Sequence, residues 1–144
     1  MSRPDVVAAA RGWIGTPYVH QASAKGAGTD CLGLLRGVWR EVQGAEPETV
    51  PAYTRDWSEP SGEEALWAAA RRHLRPGRGE AGEVLLFRMR AGAVAKHLGL
   101  LSAPDRFIHA YERHGVVESP LSAPWARRIV ARFAFPRPVP RIPE

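Results

Sequence analysis

Apolar residues recur at helical spacing in three stretches of the first half of the chain, and in the second half the period shortens to that of strands. Val6, Val7, Ala10, Trp13 and Ile14 line one face of a helix expected from Pro4 to Ile14. Pro4 suits a first turn, and Gly15 to Pro17 ends it. The loop-like "YVHQASAKGAG" delivers the chain to Thr29 and Asp30, either of which can cap a second helix from Cys31 to Gln43. Leu34, Leu35, Val38, Trp39 and Val42 form its apolar stripe, Gly33 and Gly37 permit close packing, and Gly44 supplies the stop. A proline-punctuated loop, "PETVPAYTRDWSEPSG", leads to a third helix, "EEALWAAARRHL", closed by Pro76 and Gly77.

From there "GEVLLFRMR", "KHLGLLS", "RFIHAYE", "GVVESPL" and "RRIVARFAF" are short, apolar and separated by turn residues, the pattern of an antiparallel meander. Helices first and strands afterwards predict an α+β domain. The final "PRPVPRIPE" carries too many prolines for a helix or a central strand and is expected to be extended on the surface. The chain therefore divides into one domain over 1–135 and a proline-rich tail over 136–144.

Composition narrows the class. A length of 144 residues suits one compact domain, and a hydrophobic share of 44% with 24% charged residues is that of an ordinary globular protein. No apolar run is long enough to cross a bilayer, and the N-terminus has no clean signal-peptide core. The net charge of +5 comes mainly from arginines dispersed along an alanine-rich chain, so a nucleic-acid partner is not expected, although the charge favours contact with a polyanionic wall polymer. A single cysteine forms no internal disulfide and is free for chemistry.

That cysteine, Cys31, is placed at a helix N-terminus, where aligned peptide dipoles and free N–H groups favour a thiolate. A lone cysteine is as often a small buried hydrophobe. The histidines decide between these, because a catalytic thiol needs an imidazole to take its proton and a third group to orient it. His97 and His109 lie in consecutive candidate strands joined by "SAPDR", and a suitable register puts both on one face, opposed or diagonal. His73 is expected near a helix end, His114 in a turn, and His20 in a loop that can border the site. No CxxC or HExxH pattern is present, so a metal is not expected.

The blocks "ARGWIGTPYVH", "GTDCLGLLRGVW", "GEVLLFRM", "KHLGLL" and "FIHAYERHGVVESPL", in this order, resemble the NlpC-type cell-wall cysteine peptidases, in particular the branch found in phages and gene transfer agents. The resemblance implies a papain-like fold, with N-terminal helices packed on a five- to six-stranded antiparallel sheet. It implies Cys31 as nucleophile, His97 as general base and His109 as the residue that orients it. Tyr18, Asp30 and His20 fall on the substrate side, with Asp30 matching an acidic residue that recognises the free amine of the stem peptide. The implied reaction is hydrolysis of a peptide bond in the peptidoglycan stem, between γ-linked D-glutamate and diaminopimelate, without a cofactor. The implied setting is a virion tail, with a tail hub or tail-tip protein as partner, made in the cytoplasm and acting on the periplasmic wall. Leu32 replaces the usual serine after the cysteine, and "HQA" replaces a glycine pair. These departures leave open a structural tail component of the same fold, or a cysteine amidase. A thiol pKa lowered by the helix and by protonated His97 is also expected.

Overall fold

A computed structural model describes residues 2–48 and 64–137. Helix α1 spans Pro4–Arg11, shorter than the apolar stripe suggests, because the chain leaves the helix in a turn over residues 12–15 in which Gly15 takes φ +93°. Trp13 is buried all the same, beyond the helix end, and its indole N–H donates to Glu41 Oε2 at 2.7 Å. Strands β1 (Ser23–Ala24) and β2 (Gly28–Thr29) form a small antiparallel ribbon inside the segment expected to be a loop. Helix α2 spans Cys31–Val42 and α3 spans Ala65–His73. The start of the third expected helix and most of the loop before it lie outside the described residues.

The strands that follow are β3 (Arg75–Pro76), β4 (Val84–Phe87), β5 (His97–Ala103), β6 (Arg106–Tyr111), β7 (Gly115–Pro120) and β8 (Ile129–Ala134). They make one antiparallel sheet in the order β3, β8, β4, β5, β6, β7. Pro76, expected only to stop a helix, sits in the short edge strand, where a missing N–H is tolerated. A further short helix, α4 (Ala123–Ala126), joins β7 to β8. The expected proline-rich tail is described only at Pro136 and Arg137, whose carbonyls accept from Arg3 and Gln43; its remainder lies outside the described residues.

The sheet has two apolar faces. Leu86, Leu98, Leu100, Ile108, Ala110 and Val116 pack with Val6 and Ala10 of α1 and Leu34 and Val38 of α2. Burial of each large side chain there contributes about 1.5–3 kcal/mol. Alternation puts Leu85, Phe87, Leu101 and Phe107 on the other face, where Trp125 of α4 covers them. The turn after α1 packs closely on α2 because Gly37 has no side chain: a Cβ there would lie 2.0 Å from the Trp13 ring.

Candidate active site

Asp30 determines how the second helix begins. Its backbone is extended, its Oδ1 accepts from Gly33 N–H at 2.7 Å, and its Oδ2 accepts from Gln21 N–H at 2.8 Å. The carboxylate thus caps α2 and ties the preceding loop to it. Gly33 is required at the same point, since a Cβ there would lie 1.9 Å from the Ala22 carbonyl oxygen. Asp30 is only 2% exposed, and His20 Nδ1 stands 3.9 Å from its Oδ2. Tyr18 bridges in parallel to Thr29 and packs against the core.

Cys31 is the first residue of the helix and half-buried. Its thiol donates to the Lys96 carbonyl at 3.5 Å and faces the Leu98 N–H, so it meets the chain on either side of His97. The pairing of β5 with β6 runs through Leu100 with Ile108 and Leu101 with Phe107 and does not extend back to His97.

The same register puts His97 and His109 on one face, diagonal to each other. The turn between the strands is Pro104–Asp105, and a hairpin of that length with Ala103 opposite Arg106 would put the histidines on opposite faces. A bulge between Leu101 and Ala103 shifts the pairing by one residue and brings them back together. Ser102, at the bulge, donates to Glu118 Oε2 at 2.6 Å.

The result is a chain of side chains: His97 Nε2 lies 2.8 Å from His109 Nδ1, and His109 Nε2 lies 2.9 Å from Ser119 Oγ. His109 is fully buried. Trp125 walls the pair, with its ring centroid 5.7 Å from His97 and 5.1 Å from His109. Ser119 and Trp125 were not singled out from the sequence: Ser119 lies in the expected strand "GVVESPL" with nothing to mark it as a site residue, and "APW" is too short to show a period. His114 lies in the β6–β7 turn, its ring stacked on Tyr111 at 5.2 Å. His73 ends α3, with Nε2 3.0 Å from Glu48 Oε1.

The electrostatics correct one expectation. Burial pushes the Cys31 thiol up to about 12, and the Asp30 carboxylate acts in the same direction. The N–H groups of Leu98, Leu32 and Cys31 oppose them but do not prevail. Burial, with His109 adding to it, holds His97 down to about 3, and burial with His114 holds His109 down to about 4. At neutral pH both Cys31 and His97 are therefore in their neutral forms. The helix terminus points N–H groups at sulfur as expected, but the site is too dry for them to ionise it.

The sequence pattern of the NlpC/P60 family matches residues 15–133. The murein DD-endopeptidase MepS/murein LD-carboxypeptidase of Escherichia coli is 30% identical over 127 residues, covering 83% of this chain and 59% of the relative. A probable endopeptidase of Haemophilus influenzae is 27% identical over 113 residues, covering 78% of this chain and 62% of that protein. The chain thus spans about three-fifths of the length of these relatives. Among solved structures, the NlpC/p60 domain of the peptidoglycan hydrolase SagA superposes with a TM-score of 0.60 at 20% identity, over 92% of this chain and 97% of that one. An NlpC/P60 family protein from Bacillus cereus gives 0.63 at 18% identity, over 92% of this chain and 39% of that one. These last two are likenesses of fold.

Proposed function

This chain belongs to the NlpC/P60 family, and on that premise we propose that it is a cysteine peptidase that hydrolyses peptide bonds in peptidoglycan. The observation that carries the reading is the thiol at the head of α2, held against the residues that flank His97, with His97 hydrogen-bonded to His109 at 2.8 Å. The murein endopeptidase relatives support the substrate class.

In this mechanism the Cys31 sulfur attacks the scissile carbonyl carbon as its proton passes to His97 Nδ1. With the thiol pushed up to about 12, transfer accompanies C–S bond formation and does not precede it. The backbone N–H of Cys31 at the helix start is assigned as an oxyanion donor, since a helix N-terminus leaves its first N–H groups free. The tetrahedral intermediate collapses to a thioester as His97 returns the proton to the leaving amine. His97 then takes a proton from water, whose oxygen attacks the thioester; the C–S bond breaks as His97 gives that proton to the departing sulfur, and the product acid ionises to a free carboxylate.

The bond proposed is the one between γ-linked D-glutamate and diaminopimelate, on the strength of the sequence blocks. Tyr18, Asp30 and His20 are assigned to the substrate side on the same ground, with Asp30 acting mainly through the loop it holds, since both its oxygens already accept backbone N–H groups. The proposed setting is a phage-like tail, bound to a hub or tip protein and acting on the periplasmic wall.

Purified peptidoglycan incubated with the protein and with Cys31→Ala, followed by mass spectrometry, tests the reading. Cleavage inside the stem that requires Cys31 supports it. Free intact stems mean an amidase, and no fragments from either protein would favour a structural component of the same fold.

A further inference from the structure

We infer that Ser119 is a positioning residue that acts through His109: its hydroxyl accepts from His109 Nε2–H and so fixes which nitrogen of each imidazole carries its proton. This rests on the hydrolase reading, because the proton transfer from Cys31 is what selects between the two tautomer patterns.

Neutral imidazole has one N–H and one lone pair, so a row of two rings and a hydroxyl admits two consistent hydrogen-bond patterns. In one, His97 Nε2–H donates to His109 Nδ1, and His109 Nε2–H donates to Ser119 Oγ. In the other, every donor and acceptor is reversed, and Ser119 O–H donates to His109. The separations of 2.8 Å and 2.9 Å suit both.

Only the first pattern leaves His97 Nδ1 with a lone pair to take the thiol proton. It is also the only one that persists after that transfer, because the His97 imidazolium carries N–H on both nitrogens and needs His109 Nδ1 as an acceptor. His109 is fully buried, so its Nε2 has to find its partner within the protein, and Ser119 is that partner. Ser119 is half-buried on β7, which lets its own proton turn toward solvent while its oxygen accepts. The groups around the relay are Cys31 from α2, Tyr111 from β6, His114 from the β6–β7 turn, and Trp125 with Arg128 over its ring. None of these occupies His109 Nε2.

The test compares wild type, Ser119→Ala and Ser119→Thr by nitrogen-15 side-chain NMR at neutral pH and by kinetics on peptidoglycan fragments. The expected wild-type spectrum has His109 protonated on Nε2 and unprotonated on Nδ1, and His97 protonated on Nε2. Ser119→Ala is expected to redistribute the His109 proton between its nitrogens and to lower kcat about tenfold with KM unchanged, the scale of one hydrogen bond. Ser119→Thr, which keeps the hydroxyl, restores both. His109 carrying its proton on Nδ1 in the wild type overturns the inference, as does a Ser119→Ala protein with wild-type tautomers and kcat. The expected tautomers in a wild type that cuts no peptidoglycan would support the relay geometry and count against the hydrolase reading.

Discussion

The Cys31 thiol stands between two opposing influences. Three N–H groups aimed at sulfur favour the thiolate, while burial and the neighbouring Asp30 carboxylate oppose it and win, raising the group from 9.0 to about 12. Alkylation of the free protein by iodoacetamide is therefore expected to be slow at neutral pH and still rising at pH 9. A rate that reached its plateau by pH 7 would show a preformed thiolate instead. The position of Cys31 at the head of a helix was readable from "TDCLGLL" because capping residues and apolar period are local properties. The sign of its pKa shift was not, because it depends on how closely β5 covers the thiol, a contact 65 residues away in sequence.

Elements place these residues through a few tight contacts. Asp30 holds two N–H groups while almost wholly buried, so Asp30→Ala is expected to lower stability by about 2 kcal/mol, the upper end for a lost cap. Gly37→Ala forces a methyl group into the Trp13 ring and is expected to cost about 1–3 kcal/mol. Urea titration of both variants checks these values, and a wild-type midpoint for Gly37→Ala would mean that the Trp13 ring can move off α2 without cost. Helix α2 and its two glycines were legible in the sequence, since a stripe of that length leaves little choice. Strands β1, β2 and β3 and helix α4 were not. Each is too short to show a period: β1 and β2 pair only with each other, and β3 is an edge strand on β8. The bulge at Ser102 belongs with them: the histidines were seen as partners in a hairpin, but the residue that returns them to one face gave no signal of its own.

For the whole molecule, the buried histidine pair sets the response to acid. In the unfolded chain His97 and His109 bind protons below about pH 6.5, whereas folding holds them neutral down to about 3 and about 4. The unfolded state therefore binds more protons in that window, and stability must fall as pH drops through it. At pH 5 the loss is about 1–2 kcal/mol for each buried histidine relative to pH 7. Glu118, Glu46 and Asp5, held below the usual carboxylate range chiefly by hydrogen bonds from Ser102, Arg36 and Arg3 respectively, lose their contribution at still lower pH. In the alkaline direction the raised Cys31 thiol has the opposite consequence: its neutral form is favoured by folding, so stability is lost as pH rises from about 9 towards 12. Urea midpoints should accordingly be flat from pH 6.5 to 9 and decline on either side. The acid limb can be assigned with His109→Gln, whose amide carbonyl can accept from His97 and whose amide N–H can donate to Ser119 without titrating. That variant is expected to stay folded and to lose about half of the decline between pH 7 and 5. An unchanged acid limb would place the responsible protons elsewhere in the molecule and remove the buried pair as its cause.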